Sequence, residues 1–175
     1  MFIISFFIFL SCLSISGPKD ETVGCIIGKM KFTLTRDWII YSSGSNSNNI
    51  TISLVNKETG KSYNSSVNKD FYYFINLPEG EYYFQKYLYK IQYNKAISYY
   101  TMYFPKGTDI YVKSKTITIM DYFQSTATPV GNDLSVEFNT INPDIDEMKL
   151  YFQDMDEKGL WYDYNFRTLN SFPST

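Results

Sequence analysis

Apolar residues recur at every second position through most of this chain, the period of a β-strand with one buried face. Ile26, Met30, Phe32 and Leu34, with a gap at Gly28, alternate with Lys29, Lys31, Thr33 and Thr35, which predicts a strand over 26–35 that residues 37–41 extend or bend. Residues 42–49 have no period and are expected as a loop. Ile50, Ile52 and Leu54 resume the alternation. Lys57-Glu58-Thr59-Gly60 then reads as a turn in which Gly60 takes the left-handed position. Residues 61–66 are expected to return as a poorly apolar edge strand. Two aromatic strands, 71–77 and 81–87, are joined by Pro78-Glu79-Gly80 and are expected to form a hairpin. Further strands are expected at 97–104, 108–112, 116–123 and 134–138, with 124–132 as loop. The period turns helical once, where Ile145, Met148, Phe152 and Met155 share a face. Asn142 is expected to cap that helix, with Pro143 at its first position and Asp144, Asp146 and Glu147 at the positive end of its dipole. Gly159 is expected to stop it after Lys158. Residues 160–166 are aromatic and read as a last short strand, and the tail to Thr175 reads as frayed.

One stretch follows neither period. Phe2 to Leu10 is almost wholly apolar and ends in Ser11-Cys12. Its core of about nine residues is too short to span a bilayer, which takes roughly 20 in a helix, but falls within the roughly 7–15 of an export signal. A short apolar run closing on a small residue and a cysteine resembles the signals of bacterial lipoproteins. The resemblance implies that residues 1–11 are a signal peptide, that Cys12 carries diacylglycerol on its thiol, and that 12–24 form a tether. The residues leave two other readings open. One is cleavage after Ser14-Ile15-Ser16, releasing a soluble chain from Gly17; the other is an uncleaved anchor or buried segment.

Composition narrows the chemistry. Tyr (17) and Phe (14) dominate an aromatic content of 19%, and such residues favour pleated, half-buried surfaces. Net charge is −2, with 16 basic and 18 acidic residues, so no nucleic-acid footprint is expected. Histidine is absent, which removes every catalytic arrangement built on imidazole. With two cysteines, one of them assigned to lipid, the usual nitrogen and sulfur ligands of zinc cannot be assembled. Asp154 to Gly159 resembles a calcium loop, but Asn165 stands where the closing Glu is needed. No metal, no cofactor and no enzymatic activity are therefore expected. Cys25, within Val23-Gly24-Cys25-Ile26-Ile27, is expected to be buried rather than open to intermolecular pairing.

The segment from Asn49 to Lys86 carries a second resemblance. Thr59-Gly60-Lys61, followed by Tyr72-Tyr73-Phe74-Ile75-Asn76-Leu77-Pro78-Glu79-Gly80-Glu81-Tyr82, resembles the carboxypeptidase-regulatory-like and prealbumin-like β-sandwich modules. Residues 111–119 look like the last sandwich strand of such a module. The resemblance covers roughly 25–123 and implies a mainly β chain, a Greek-key/prealbumin-like sandwich of about seven strands with one C-terminal helix. The sandwich is expected over 25–138 and the helix and tail over 139–175. Members typically serve as spacers, attachment modules or binding surfaces, which implies no active site.

Two functional readings result. The first is a membrane-anchored exported lipoprotein at the outer membrane or cell surface, with a non-catalytic binding or structural role such as an adhesin or interaction module. Its partners are the membrane, through the lipid, and a protein or glycan ligand. The candidate platform is the tyrosine belt Tyr82, Tyr83, Tyr87, Tyr89, Tyr99 and Tyr100, with Tyr93 and Tyr103 beside it, because tyrosine offers rigid area with a polar tip. The second is a soluble periplasmic protein that binds glycans or processes them with paired carboxylates. An exposed aromatic row without facing carboxyls favours the first; two carboxyls about 5–10 Å apart favour the second.

Overall fold

The computed structural model describes residues 14–36, 39–42, 50–93, 96–130 and 133–169. The leader 1–11, the lipidation candidate Cys12, the expected loop after Ser42 and the tail from 170 lie outside them. The chain is mainly β. In order it forms β1 (Val23–Arg36), β2 (Ile39–Ser42), β3 (Ile50–Asn56), β4 (Ser62–Asn64), β5 (Ser66–Asn68), β6 (Phe71–Pro78) and β7 (Gly80–Tyr93). These are followed by β8 (Ala96–Tyr103), β9 (Asp109–Val112), β10 (Thr116–Met120), β11 (Tyr122–Val130), β12 (Asp133–Ile141), α1 (Ile145–Met155) and β13 (Asn165–Leu169).

These strands make two sheets. The larger has eight strands, with β12-β11-β1-β10-β13 as its spine and β2, β5 and β6 off it; the smaller has five, β4-β3-β7-β8 with β9 beside β7. β1 holds the larger sheet together because its neighbours change along its length. Val23 to Lys29 pair antiparallel with β6, Cys25 to Ile27 pair parallel with β10, and Met30 to Leu34 pair parallel with β11. The main core lies between the sheets. Ile26, Met30, Phe32, Tyr72 and Phe74 meet Ile52, Leu54, Tyr82, Phe84 and Tyr87 there. A second cluster on the outer side of the larger sheet puts Cys25, Ile27, Tyr73, Ile117 and Ile119 under Met148, Phe152 and Met155 of α1. The molecule is thus stacked as helix, large sheet, small sheet.

That stacking alters several expectations. The alternation holds from Gly28 to Phe32, but Cys25, Ile26 and Ile27 are all buried because both faces of the sheet are covered there. Cys25 is a free, buried thiol whose pKa is pushed up by desolvation, as its apolar neighbours suggested. The strands 71–77 and 81–87 do not form a hairpin. β6 belongs to the larger sheet and β7 to the smaller, and their rings meet edge to face instead, as between Tyr72 and Phe84. Asn76, in the left-handed region (φ 58), lies where β6 bulges against β1, and the Glu79–Gly80 corner carries the chain from one layer to the other. The edge strand expected at 61–66 is likewise split at Ser65, with β4 pairing β3 and β5 pairing β6.

The expected loop 124–132 is largely strand. β11 buries Phe123, Ser125 and Ala127 on one side and exposes Thr126 and Thr128 on the other. Its period of two is carried by small and hydroxylated residues, which a hydrophobicity pattern does not register. The strand count therefore exceeds the expected seven or so. The helix is shorter than expected. Asp144, not Asn142, is its N-cap, accepting a hydrogen bond from Glu147 N, and the helix ends at Met155 rather than Lys158. Asp144 reaches the third amide of the first turn, which outweighs the preorganisation of Pro143 one position earlier. Ile145 is 38% exposed and does not join the buried face of Met148, Phe152 and Met155.

The Glu79 corner is closed by three donors: the Tyr111 hydroxyl at 2.6 Å, the Ser114 amide at 3.1 Å and the Ser114 hydroxyl. These bonds, those from Ser114 foremost, hold the Glu79 carboxyl at a pKa of about 2 against an ordinary 4.5. A folded-state pKa below the unfolded one stabilises the fold above the ordinary value and loses that contribution as pH falls towards 2. The expected result is a carboxyl ¹³C titration for Glu79 with a midpoint near 2. Glu79→Gln should flatten the acid limb of the stability profile between pH 4.5 and 2.

Candidate interaction surface

The free side of the small sheet is the candidate site, and the course of β7 decides which residues it presents. β3 pairs with β7 through Ser53 opposite Lys86 and Leu54 opposite Phe84, leaving Gln85 as an extra residue, a β-bulge. A bulge reverses the parity of a strand. Before it, Glu81 and Tyr83 point outward and Tyr82 and Phe84 inward; after it, Lys86, Leu88 and Lys90 point outward and Tyr87 and Tyr89 inward. On β8, Tyr99, Thr101 and Tyr103 are exposed and Met102 is buried, with Lys90 opposite Tyr99 and Lys86 opposite Tyr103.

The tyrosine belt therefore divides. Tyr82, Tyr87 and Tyr89 are 0%, 1% and 4% exposed and cannot serve as a platform. They are core residues whose polar tips are accommodated inside: Tyr82 donates to Pro78 O at 2.8 Å, and the Tyr87 hydroxyl meets Ser125 Oγ at 2.5 Å across the two sheets. Burial pushes the Tyr87 phenol pKa up. Tyr100 is half-buried and packs against the same core. Tyr83, half-buried, and Tyr99, 61% exposed, remain on the outer face. Tyr103, at 68%, completes it. Alternation alone found the aromatic strands, but the bulge that sorts their faces has no sequence mark other than Gln85-Lys86 lying between aromatic pairs.

The resulting face is a lattice of tyrosine and lysine. Tyr99 and Tyr103 are four residues apart on one strand, which puts their Cα atoms about 13 Å apart. Lys86 and Lys90 run alongside them, and Leu88 lies between the two lysines. At one end, β7 and the segment 103–109 enclose a hollow of about 370 Å³ bordered by Tyr83, Gln85, Tyr103, Pro105, Lys106 and Asp109. The nearby carboxylates are held by one amine. Lys57 Nζ lies 2.6 Å from Asp109 and 3.6 Å from Glu81, and the hydrogen bond it donates to Asp109 raises its pKa. Two carboxylates sharing a lysine at the rim are not a facing acid–base pair across a cleft.

The calcium-like run 154–159 has another use. Asp156 is buried, and its carboxylate accepts hydrogen bonds from Leu160 N at 2.9 Å and Trp161 N at 2.8 Å, closing the turn after α1. The segment expected to be a tether is attached to that same turn. Ile15 N donates to Met155 O, Trp161 Nε1 donates to Ser16 O, and Asn76 holds both Gly17 O and Lys19 N. Ile15 itself is 6% exposed, inside the cluster beneath the helix.

No family model and no curated protein matches the chain. Among solved structures, a leucine-rich repeat protein from Bacteroides thetaiotaomicron aligns over 60% of this chain and 13% of its own length, at 16% identity and a TM-score of 0.35. A candidate cell adhesion protein from Bacteroides ovatus aligns over 70% of this chain and 47% of its own, at 17% identity and a TM-score of 0.23. The chain thus spans less than half the length of either neighbour.

Proposed function

We propose that this protein is an exported, lipid-anchored binding protein of the cell envelope, tethered through Cys12 and engaging its partner through the tyrosine–lysine face, without catalysis. The observation that carries this reading is the opposition of the two ends of the stack. Ile15 and Ser16 are bound at the helix layer, and the tyrosine–lysine face is the outer surface of the far sheet. With sheets about 10 Å apart, the partner face points away from whatever holds residue 12.

The incorporation of Ile15 also favours Cys12 over cleavage after Ser16, because a chain starting at Gly17 lacks a core residue. Two acyl chains on one residue give stable retention where one holds only marginally. The prealbumin-like sandwich belongs to the same proposal. In its support, the chain changes sheet between β2 and β3, between β4 and β5, between β6 and β7, and between β9 and β10, as Greek-key sandwiches do, and the strand 116–120 returns beside β1. A protein partner is favoured over glycan processing by the absence of a facing carboxyl pair in the described face, where Lys57 ties up Asp109 and Glu81.

Site-specific photocrosslinking in the producing cell tests the reading. A photoreactive residue at Tyr99 or Tyr103 should yield a discrete adduct that the same residue at Leu150, 66% exposed on the helix, does not. Equal labelling from Leu150, or none from either tyrosine, contradicts it. Tyr99→Ala with Tyr103→Ala should weaken binding to the captured partner at least tenfold, about 1.4 kcal/mol. Their combined cost in stability should stay within about 1 kcal/mol, because both are exposed.

A further inference from the structure

We infer that the turn between α1 and β13 is the membrane-contacting end of the molecule, with Leu160 and Tyr162 seated in the headgroup region of a zwitterionic bilayer. This rests on acylation of Cys12 and specifies how the anchored protein is held.

Reach decides which end of the molecule meets the lipid. Residues 12 and 15 are joined by three virtual bonds of ~3.8 Å, so their Cα atoms are at most about 11 Å apart. Ile15 is fixed: its amide is bonded to Met155 O at 3.0 Å and its side chain is buried. Ser16 O is held by Trp161 Nε1 at 3.1 Å, and Tyr164 Oη donates to Asp20 O at 3.0 Å. Acyl chains on Cys12 therefore bring the bilayer surface to the end of the molecule where the 156–164 turn lies. A tether this short cannot hold the domain clear of the lipid.

That end has interfacial chemistry. Tyr162 is 87% exposed, and Leu160 is 42% exposed. Leu160 lies beside the N-terminal segment, since a β-carbon on Gly17 would come within 2.8 Å of Leu160 Cδ1. Both are presented by a turn that Asp156 makes rigid through the amides of residues 160 and 161, with Gly159 in the left-handed region at φ 59. Beside Tyr162 a hollow of about 370 Å³ opens between Phe152, Trp161, Tyr164 and Phe166, with Glu157 on its border. Tyrosine and tryptophan concentrate where an apolar body meets water at a membrane surface. Charge selects the lipid. Asp154, Glu157 and Asp163 are exposed around the turn, against Lys158, so no polybasic attraction to anionic headgroups exists there.

The test uses the full chain produced in a lipoprotein-processing bacterium and reconstituted into phosphatidylethanolamine/phosphatidylcholine vesicles. A nitroxide is attached at Tyr162→Cys, at Leu160→Cys or, as a far-face control, at Tyr99→Cys; buried Cys25 does not react. The mass of each mature chain is measured on the same sample. With Cys12 acylated, labels at 160 and 162 should show a several-fold higher ratio of oxygen to nickel-chelate collisions than the label at 99. Adding Cys12→Ser should abolish the difference. Acylated protein whose label at 162 is as wet as that at 99 overturns the seating while leaving the anchor intact. A mature chain without diacylglycerol overturns the anchor, and the seating with it.

Discussion

Replacing Gly28 with valine should cost the fold about 3 kcal/mol or more, among the largest losses available to a single substitution that deletes no contact. Gly28 is buried in β1 directly opposite Tyr72 of β6, and a β-carbon there would lie inside the contact distance of the Tyr72 ring. The ring has nowhere to go. It is packed edge to face on Phe74 and Phe84 and tilted against Phe123, with none of its surface exposed. With total stabilities of about 5–15 kcal/mol, such a loss should be visible as a large fall in the denaturant midpoint. The decisive comparison is a double-mutant cycle. Tyr72→Ala alone should also destabilise, by about 3–5 kcal/mol. Combined with Gly28→Val it should cost less than the sum, because the valine enters the space the ring left, with a coupling of about 1–3 kcal/mol. Strict additivity would show that the two positions do not share that space.

The second large effect is expected at the N-terminus. A chain beginning at Gly17 should be less stable than one beginning at residue 12 by about 3–6 kcal/mol, summing a deleted buried Ile with an orphaned buried donor. Ile15 fills the cluster beneath α1, and removing Ser16 leaves the indole N–H of Trp161, a residue only 2% exposed, without its acceptor. The loss should concentrate in α1 and the following turn, because those are the elements that Ile15 and Ser16 touch. Amide exchange should accelerate around Met155 and Trp161 and change little in β3 and β7, which belong to the other core. Equal stability of the two chains would mean that residues 15 and 16 contribute nothing to the fold.

Much of the sheet structure was legible because its signal is local. Alternation at 28–33 and 109–112 depends only on one face being covered, and the Thr59-Gly60-Lys61 turn carries its own glycine at φ 67. What could not be read was which layer each strand joins. β6 and β7 look like a hairpin because the turn residues Pro78-Glu79-Gly80 join the two aromatic runs, yet the chain passes from the larger sheet to the smaller at Glu79. The platform is hidden in the sequence for a related reason. Six tyrosines appear as one belt in sequence, and a single extra residue at Gln85 puts Tyr83 outside and Tyr87 and Tyr89 inside. The docked N-terminal segment left no mark at all. Gly17-Pro18-Lys19-Asp20 has the composition of a linker, and its attachment depends on Asn76 and Trp161, roughly sixty and a hundred and forty-five residues away.

The mature N-terminus decides between a tethered and a free protein, and an intact-mass and peptide spectrum of the protein recovered from membranes of the producing cell measures it. The expected result is a chain that starts at Cys12 and carries a diacylglycerol thioether, with Ile15 and Ser16 retained. A chain that starts at Gly17, unmodified and recovered from the aqueous fraction, would contradict it.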